Sequence, residues 1–259
     1  MKSSQIAAQL YTLRDHCKTT EAFARSLRRL RSIGYTAVQI SGVGPIPPAE
    51  LRSISAGEGL TICATHESGK SICETPQAVV DRLAALGCAY TAYPFPHVPL
   101  TTLAEVEALA RQLDHAGAVL RAAGQVLCYH NHQHEFRKVA GRTILEWIYD
   151  LTAPANVQGE PDTYWVQLGG ADPVDWCQRL NRRLPLIHLK DYQIVPGADG
   201  KGSAVTMCEI GNGNLDWARI LKSAEASGCR WFIVEQDVCP ADPFDSLRQS
   251  WDYLQQFTA

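Results

Sequence analysis

The sequence predicts an α/β protein whose single domain is a (β/α)8 TIM barrel. Short apolar runs alternate with helix-like segments eight times along the 259 residues. Such alternation is typical of a parallel sheet whose strands are joined by helices, and eight units in a chain of this length are typical of a closed barrel. A doubly wound open sheet is the alternative. It is disfavoured because no GxGxxG motif follows any of the apolar runs.

The eight predicted strands are apolar runs bounded by glycine, proline or polar residues. They cover residues 6–11, 35–40, 60–66, 88–93, 126–128, 157–160, 184–189 and 230–235. The segments between them carry helix signals, such as Thr20 at the start and Gly34 at the end of the first helix. We predict one domain over residues 1–259, with a glycine-rich, lid-like insertion at about 192–214 after the seventh strand.

The composition is that of an ordinary globular protein, with 46% hydrophobic and 20% charged residues. A formal net charge of -3 offers no basic surface for nucleic acid, and no apolar run is long enough to span a bilayer. The nine cysteines are scattered without a CxxC pair, which is typical of a reducing cytoplasm. We therefore predict a cytoplasmic protein without nucleic-acid or membrane partners, for which a homodimer is the commonest assembly on base rates.

A histidine-rich stretch follows the fifth predicted strand. His130, His132 and His134 lie within five residues, and Glu135 comes directly after them. On an extended strand the three histidines would point to the same side, because side chains alternate. Imidazole and carboxylate groups together bind divalent cations or transfer protons near neutral pH. A solvated histidine-rich loop is the alternative interpretation.

Four polar side chains at the ends of the last four strands form a predicted metal site. They are Glu135, Asp162, His188 and Glu235. In (β/α)8 barrels the active site lies at the C-terminal ends of the strands, and three close carboxylates repel one another unless a cation neutralises them. An oxygen-rich set with one nitrogen suits Mn²⁺, Mg²⁺, Co²⁺ or a catalytic Zn²⁺. As alternatives, Asp162 could cap a helix, His188 could be a core histidine and Glu235 could reach solvent.

Seven segments spread over nearly the whole chain carry a family resemblance. They are QLYTLR (9–14), YHNHQHEF (129–136), DTYWV (162–166), GADPV (170–174), HLKD (188–191), GNGNLDW (211–217) and VEQD (234–237). In this order they resemble the xylose isomerase-like superfamily of barrels, the sugar phosphate isomerases/epimerases, which includes inosose dehydratases and ketose 3-epimerases. The resemblance implies one divalent metal ion, Mn²⁺ before Mg²⁺, Co²⁺ or Zn²⁺, held by Glu135, Asp162, His188 and Glu235.

The fifth strand departs from the ketose 3-epimerases. Those enzymes carry their metal-binding glutamate near the position of Cys128, so only members with the Tyr-His-Asn-His sequence support Glu135. The histidines at 66, 130 and 132 make the chain more similar to the inosose dehydratase-like and 3-keto-glycoside-processing members. In such members a base removes a proton beside a ketone, and the metal stabilises the enediolate.

The expected function is that of a metal-dependent sugar isomerase/epimerase or dehydratase/lyase acting on a carbohydrate or cyclitol. The general base is expected among His66, His130 and His132, because an imidazole pKa lies near the working pH. Lys190 is expected to polarise or protonate a substrate oxygen. The expected substrate contacts are Tyr11, Gln39, Trp165 and Gln236.

Two other functions fit the same fold. A phosphodiesterase similar to endonuclease IV would need a multi-zinc cluster and a DNA-binding face, and the acidic net charge argues against it. A non-catalytic sugar-binding subunit would not need the four candidate metal ligands, and all four are present.

Overall fold

Eight parallel strands form the central barrel in the computed structural model, which describes residues 1–258. They are β1 (Ile6–Gln9), β2 (Ala37–Ile40), β3 (Thr61–His66), β4 (Tyr90–Tyr93), β5 (Val126–His130), β6 (Val157–Glu160), β7 (Leu186–Leu189) and β8 (Trp231–Val234). The first strand pairs with both β2 and β8, so the sheet curls back on itself. The predicted (β/α)8 barrel is confirmed.

The barrel wall closes between β6 and β7 without a continuous ladder. Asp162 and His188 form an isolated parallel bridge just beyond β6, and the His188 amide donates to the Pro161 carbonyl over 2.9 Å. The Thr163 hydroxyl donates to the Lys190 carbonyl over 2.8 Å and accepts from the Lys190 amide over 3.0 Å. The residues that close this seam therefore include two predicted metal ligands and a predicted catalytic lysine.

Ten α-helices surround the barrel. They are α1 (Thr20–Ile33), α2 (Pro48–Gly57), α3 (Gly69–Glu74), α4 (Pro76–Leu86), α5 (Leu103–Ala122), α6 (Ile144–Asp150), α7 (Thr163–Leu168), α8 (Pro173–Arg179), α9 (Trp217–Ala226) and α10 (Pro243–Leu254). Eight of the ten begin after a residue whose side chain caps the first turn, and α2 and α4 begin with a proline instead. The Thr19 side chain accepts from the Ala22 amide, and Thr102 forms a capping box with Glu105. None of the helices in the described part of the chain is long and apolar enough to cross a membrane.

The barrel interior has an apolar layer beneath a polar layer. The apolar layer consists of small and aliphatic side chains, including Ala7, Ala37, Ala64, Cys128, Leu186 and Ile233. Because strand side chains alternate, the residue two positions further on points to the same side. The polar layer above is accordingly Gln9, Gln39, His66, His130, His188 and Glu235. The strand periodicity thus places six polar groups at the C-terminal mouth.

The insertion after β7 contains an antiparallel hairpin. Its two strands run over Asp191–Pro196 and Ser203–Cys208. Asp191 anchors its base, since its carboxylate accepts from the Trp217 indole over 2.6 Å and from the Gly211 amide over 3.1 Å. A lid function for this segment stays a prediction.

Gly117, inside α5, marks a close approach between that helix and the chain before β6. A Cβ atom there would lie 2.1 Å from the Asn156 carbonyl oxygen. We expect Gly117→Ala to lower the free energy of unfolding by ~1–3 kcal/mol, because the backbone contact must open. Gly57→Ala is the matched control in α2, where nothing lies within 4 Å. It should raise that free energy by up to ~1 kcal/mol through helix propensity. Urea unfolding measures the free energy of unfolding of both variants. If Gly117→Ala were as stable as Gly57→Ala, the close approach at Gly117 would be contradicted.

Candidate active site

A cavity of about 690 Å³ opens at the C-terminal end of the barrel. The polar members of its wall include His66, His130, His132, Lys190, Glu235 and Asp237, and its exposed apolar members are Tyr11, Phe95 and Val238. All four predicted catalytic residues therefore reach this cavity. Of the four predicted substrate contacts, only Tyr11 lines it.

Four residues around the barrel axis form what we call the histidine-rich group: His66, His130, Glu160 and His188. Each offers one donor atom, and these atoms lie within 4.8 Å of one another. The Glu160 carboxylate is central, because its Oε2 lies 2.7 Å from His66 Nε2 and its Oε1 lies 3.6 Å from His188 Nε2. His130 Nδ1 lies 3.7 Å from Glu160 Oε2.

A bound ligand would give the unpartnered nitrogen of the histidine-rich group a partner. His130 is 2% exposed, and its Nδ1 finds no hydrogen-bond partner within residues 1–258. Buried polar atoms without partners are rare and costly. Three imidazoles and one carboxylate are a donor set that holds Zn²⁺ and related divalent ions. The residues present therefore fit a divalent metal ion.

Gln39 braces the histidine-rich group from behind the cavity wall. Its amide donates to Glu160 Oε1 over 2.7 Å, and its carbonyl oxygen accepts from Gln9 and lies 2.7 Å from His188 Nε2. The side chain is fully buried. Gln39 therefore positions Glu160 and His188, and its contact with substrate stays a prediction.

The other predicted substrate contacts also lie outside the cavity wall. The Gln236 side chain donates to the Val238 carbonyl over 3.1 Å, and the backbone amide of Gln236 donates to the Thr12 hydroxyl. The Trp165 ring packs 5.3 Å from the His132 ring and 5.3 Å from Lys190 Nζ. Both residues lie outside the cavity wall, and their contacts with substrate stay predictions.

A second set of charges, the carboxylate–lysine group, lies beside the first. It consists of Asp162, Glu235, Asp237 and Lys190. The Lys190 ammonium lies 3.1 Å from Asp162 Oδ2, 2.8 Å from Glu235 Oε2 and 3.0 Å from Asp237 Oδ2. The contact with Asp237 is a hydrogen bond, and the other two are ion pairs. Lys190 therefore supplies the positive charge among these carboxylates, and its predicted action on a substrate oxygen stays a prediction.

His188 connects the two groups. Its Nε2 faces Glu160 and Gln39, while its Nδ1 lies 3.0 Å from Glu235 Oε2. Burial opposes the charged imidazolium, but the carboxylates of Glu160 and Glu235 outweigh it and raise the pKa of His188 to about 9.

Burial dominates the other titratable groups. It lowers the pKa of His132 to about 3, with Lys190 acting in the same direction. It also lowers the pKa of His130, which the charge of His188 reinforces. The pKa of Asp162 is raised to about 6 by burial, although Lys190 opposes the shift. His130 and His132 are therefore neutral near pH 7.

Glu135 lies in neither group. Its carboxylate accepts from the Tyr129 hydroxyl over 3.0 Å and from the His132 amide over 2.8 Å. The residue sits in a 3-10 turn, Gln133–Phe136, that leads the chain away from β5. In the structure this carboxylate fixes the backbone of His132, and its role as a metal ligand stays a prediction.

Glu160 belongs to the histidine-rich group, and the sequence did not single it out. It is the last residue of β6 and lies two residues before Asp162. Strand alternation predicts that Glu160 and Asp162, two residues apart, point to the same side of the strand. The strand β6 is only weakly apolar, so this pattern is hard to recognise in the sequence.

Comparison with known proteins places the chain in a family. Residues 27–257 match the family model described as xylose isomerase-like TIM barrel. The chain belongs to this family. The match includes both charged groups at the mouth.

Three known proteins illustrate the similarity. An inosose dehydratase from Lacticaseibacillus casei is 28% identical over 62% of this chain and 57% of its own length, so the match spans under three-fifths of that relative. The rhizopine catabolism protein MocC of Rhizobium meliloti is 24% identical over 90% of this chain and 81% of its own. The structure of a sugar phosphate isomerase/epimerase from Parabacteroides distasonis superposes with a TM-score of 0.82 at 24% identity, covering 97% of each chain.

Lys190 holds the carboxylate–lysine group together. We expect Lys190→Met to lower the free energy of unfolding by ~3–5 kcal/mol in the presence of a chelator, because the buried carboxylates of Asp162 and Glu235 and the partly exposed one of Asp237 lose their cation. Lys222→Met, on the exposed face of α9, is the matched control and should change stability by less than ~0.5 kcal/mol. Urea unfolding of metal-free protein measures both. Equal stability of the two variants would show that the buried contacts contribute nothing.

Proposed function

We propose that this chain is a divalent-metal-dependent dehydratase-type lyase that removes a proton next to the carbonyl of a keto-cyclitol or keto-sugar. The histidine-rich group at the barrel mouth carries the proposal, because it combines a fit for a metal ion with a cavity large enough for a small carbohydrate. The relatives named inosose dehydratase support the lyase reaction over isomerisation or epimerisation.

The metal ion would be held by His66, His130, Glu160 and His188. When bound, it would supply a Lewis acid that polarises the substrate carbonyl and an adjacent oxygen. Three nitrogens and one oxygen favour Zn²⁺ or Co²⁺ over the Mn²⁺ that the oxygen-rich set of the sequence analysis suggests. Gln39 orients both Glu160 and His188 from the side away from the substrate.

His132 is the base in this proposal. It lines the cavity, and its Nδ1 finds no hydrogen-bond partner in the described chain. The ring lies between Phe95, at 5.2 Å, and Trp165, at 5.3 Å, and the carboxylate of Glu135 fixes its backbone amide. An imidazole that lines the cavity, is held in this way and has a free ring nitrogen can accept a proton from the carbon beside the carbonyl.

Removal of this proton leads to loss of water from the substrate. The C–H electron pair becomes a new C=C bond, and a β-hydroxyl leaves with its bonding pair and takes up a proton to form water. If the proton instead returned to a neighbouring carbon, the same residues would catalyse isomerisation. The product of the reaction therefore distinguishes the two outcomes.

The metal site is tested by Glu160→Gln. We expect wild-type protein to bind about one divalent ion and Glu160→Gln to lose at least ~10-fold in affinity, because the central carboxylate is gone. Glu135→Gln is the matched control, since this carboxylate is equally buried but lies outside both charged groups. Metal analysis after dialysis measures both. Loss of the ion in Glu135→Gln, with retention in Glu160→Gln, would return the ligand to Glu135.

The base is tested by His132→Gln with solvent deuterium and a panel of inososes and keto-sugars. We expect deuterium exchange beside the carbonyl to fall ~10²–10⁴-fold, while the metal content stays at the wild-type level. His134→Gln is the matched control, because His134 stacks on His132 at 5.5 Å but does not line the cavity. Unchanged exchange in His132→Gln would assign the base elsewhere.

A further inference from the structure

We propose that the active-site cavity has an outer, apolar subsite at its rim, formed by Tyr11, Phe95 and Val238. This rim subsite takes an aryl substituent of the substrate, while the polar groups below take the sugar or cyclitol ring. The inference rests on the proposed function for the ring and adds the chemical class of the substituent. The substrate is then a keto-sugar or keto-cyclitol joined to an aromatic group.

Exposed apolar side chains are concentrated at this cavity. Within residues 1–258, seven large hydrophobic side chains are exposed, and three of them, Tyr11, Phe95 and Val238, line the cavity. Their exposed fractions are 39%, 55% and 67%. A single exposed apolar residue is common on any protein surface, whereas several around one cavity indicate a site for a ligand or a partner.

The cavity wall changes from polar to apolar toward the solvent. Its deeply buried members, His130, Lys190 and Glu235, are all polar. Its exposed members are the three residues of the rim subsite and Ser68. A ring with several hydroxyl groups matches the polar floor, where hydrogen-bonding groups are available. An apolar substituent matches the rim, because its burial removes apolar surface of both partners from water.

The rim subsite has apolar side chains on two opposite sides of the barrel. Tyr11 and Val238 follow the paired strands β1 and β8, whereas Phe95 follows β4, three strands away from β1. A flat group between the two sides contacts both at once. The cavity volume of about 690 Å³ leaves room for such a group beside a sugar ring, since cavities of ~300–1,000 Å³ hold drug-sized ligands.

Both aromatic rings of the rim subsite are held in place by neighbouring side chains. The Phe95 ring packs edge to face on the rings of His132, at 5.2 Å, and His134, at 5.0 Å. The Arg14 guanidinium lies 4.6 Å from the centre of the Tyr11 ring. Rings that are already ordered lose little freedom on binding. Because aromatic rings also pair with one another edge to face or offset-stacked, the rim favours an aryl group over an alkyl group.

Apolar surface continues beyond Phe95. This side chain also lines a second, smaller cavity of about 200 Å³, together with the aliphatic side chains of Val98, Leu100 and Ile144. The two cavities therefore share Phe95 as a wall. A substituent longer than one aromatic ring would extend past Phe95 into the second cavity.

The experiment compares the dissociation constants of matched phenyl and methyl glycosides from a panel of sugars, measured by isothermal titration calorimetry. We expect wild type to bind the phenyl member of at least one pair ~10–100-fold more tightly, because the phenyl group buries more apolar surface. Val238→Ser and Phe95→Ala should each lower this preference by at least ~3-fold. Leu151→Ser is the matched control, because Leu151 is exposed but lies outside the cavity, and it should keep the preference.

Val238→Ser keeps the test valid if Phe95→Ala displaces His132, because the Val238 side chain is mostly exposed. Equal affinities within every pair, or no binding of any glycoside, would overturn the proposal. Sedimentation velocity tests a second copy of the chain as the occupant of the rim. Loss of a dimer in both rim variants, without a phenyl preference in wild type, would assign the rim to a subunit contact and overturn the proposal.

The same measurements separate the rim subsite from the proposed function. A phenyl preference in wild type that both rim variants lower, without deuterium exchange into any keto-sugar or inosose, would support the subsite and refute the proposed reaction. Deuterium exchange in wild type without a phenyl preference in any pair would support the reaction and overturn the subsite.

Discussion

Charge compensation around His188 is the constraint on which the rest of the site depends. This buried imidazole lies within 3.8 Å of the carboxylates of Glu160, Asp162 and Glu235. Buried charges are tolerated only when each has a partner, and removing one partner leaves another uncompensated. Lys190 supplies positive charge to these carboxylates, and Gln39 donates a hydrogen bond to Glu160. Both contacts follow from this balance of charge.

The barrel supplies the place where such a balance can exist. Small apolar side chains fill the interior below, and the alternation of each strand places polar side chains directly above them. The apolar layer keeps water from reaching the polar groups from beneath, so their mutual attraction is weakened only from the cavity side. Buried polar atoms that lack partners in the described chain, such as His130 Nδ1, occur in this upper layer.

Much of the fold was predictable, because eight repeated strand–helix units leave a periodic signal. The positions of His130, Asp162, His188 and Glu235 near one another also followed from their places at strand ends. Glu135 lies outside both charged groups because a 3-10 turn changes the direction of the chain after β5, and no sequence pattern indicates that turn. The role of Lys190 depends on three carboxylates brought by two other strands, and such distant contacts leave no local signal.

The seam between β6 and β7 has a consequence for how the protein moves. A few contacts hold it, where the other neighbouring strands share ladders, so it is the side of the wall with the least local stability. Two residues of this seam, Asp162 and His188, belong to the charged groups of the mouth. The packing of β6 against β7 and the geometry of the charged groups therefore depend on the same side chains.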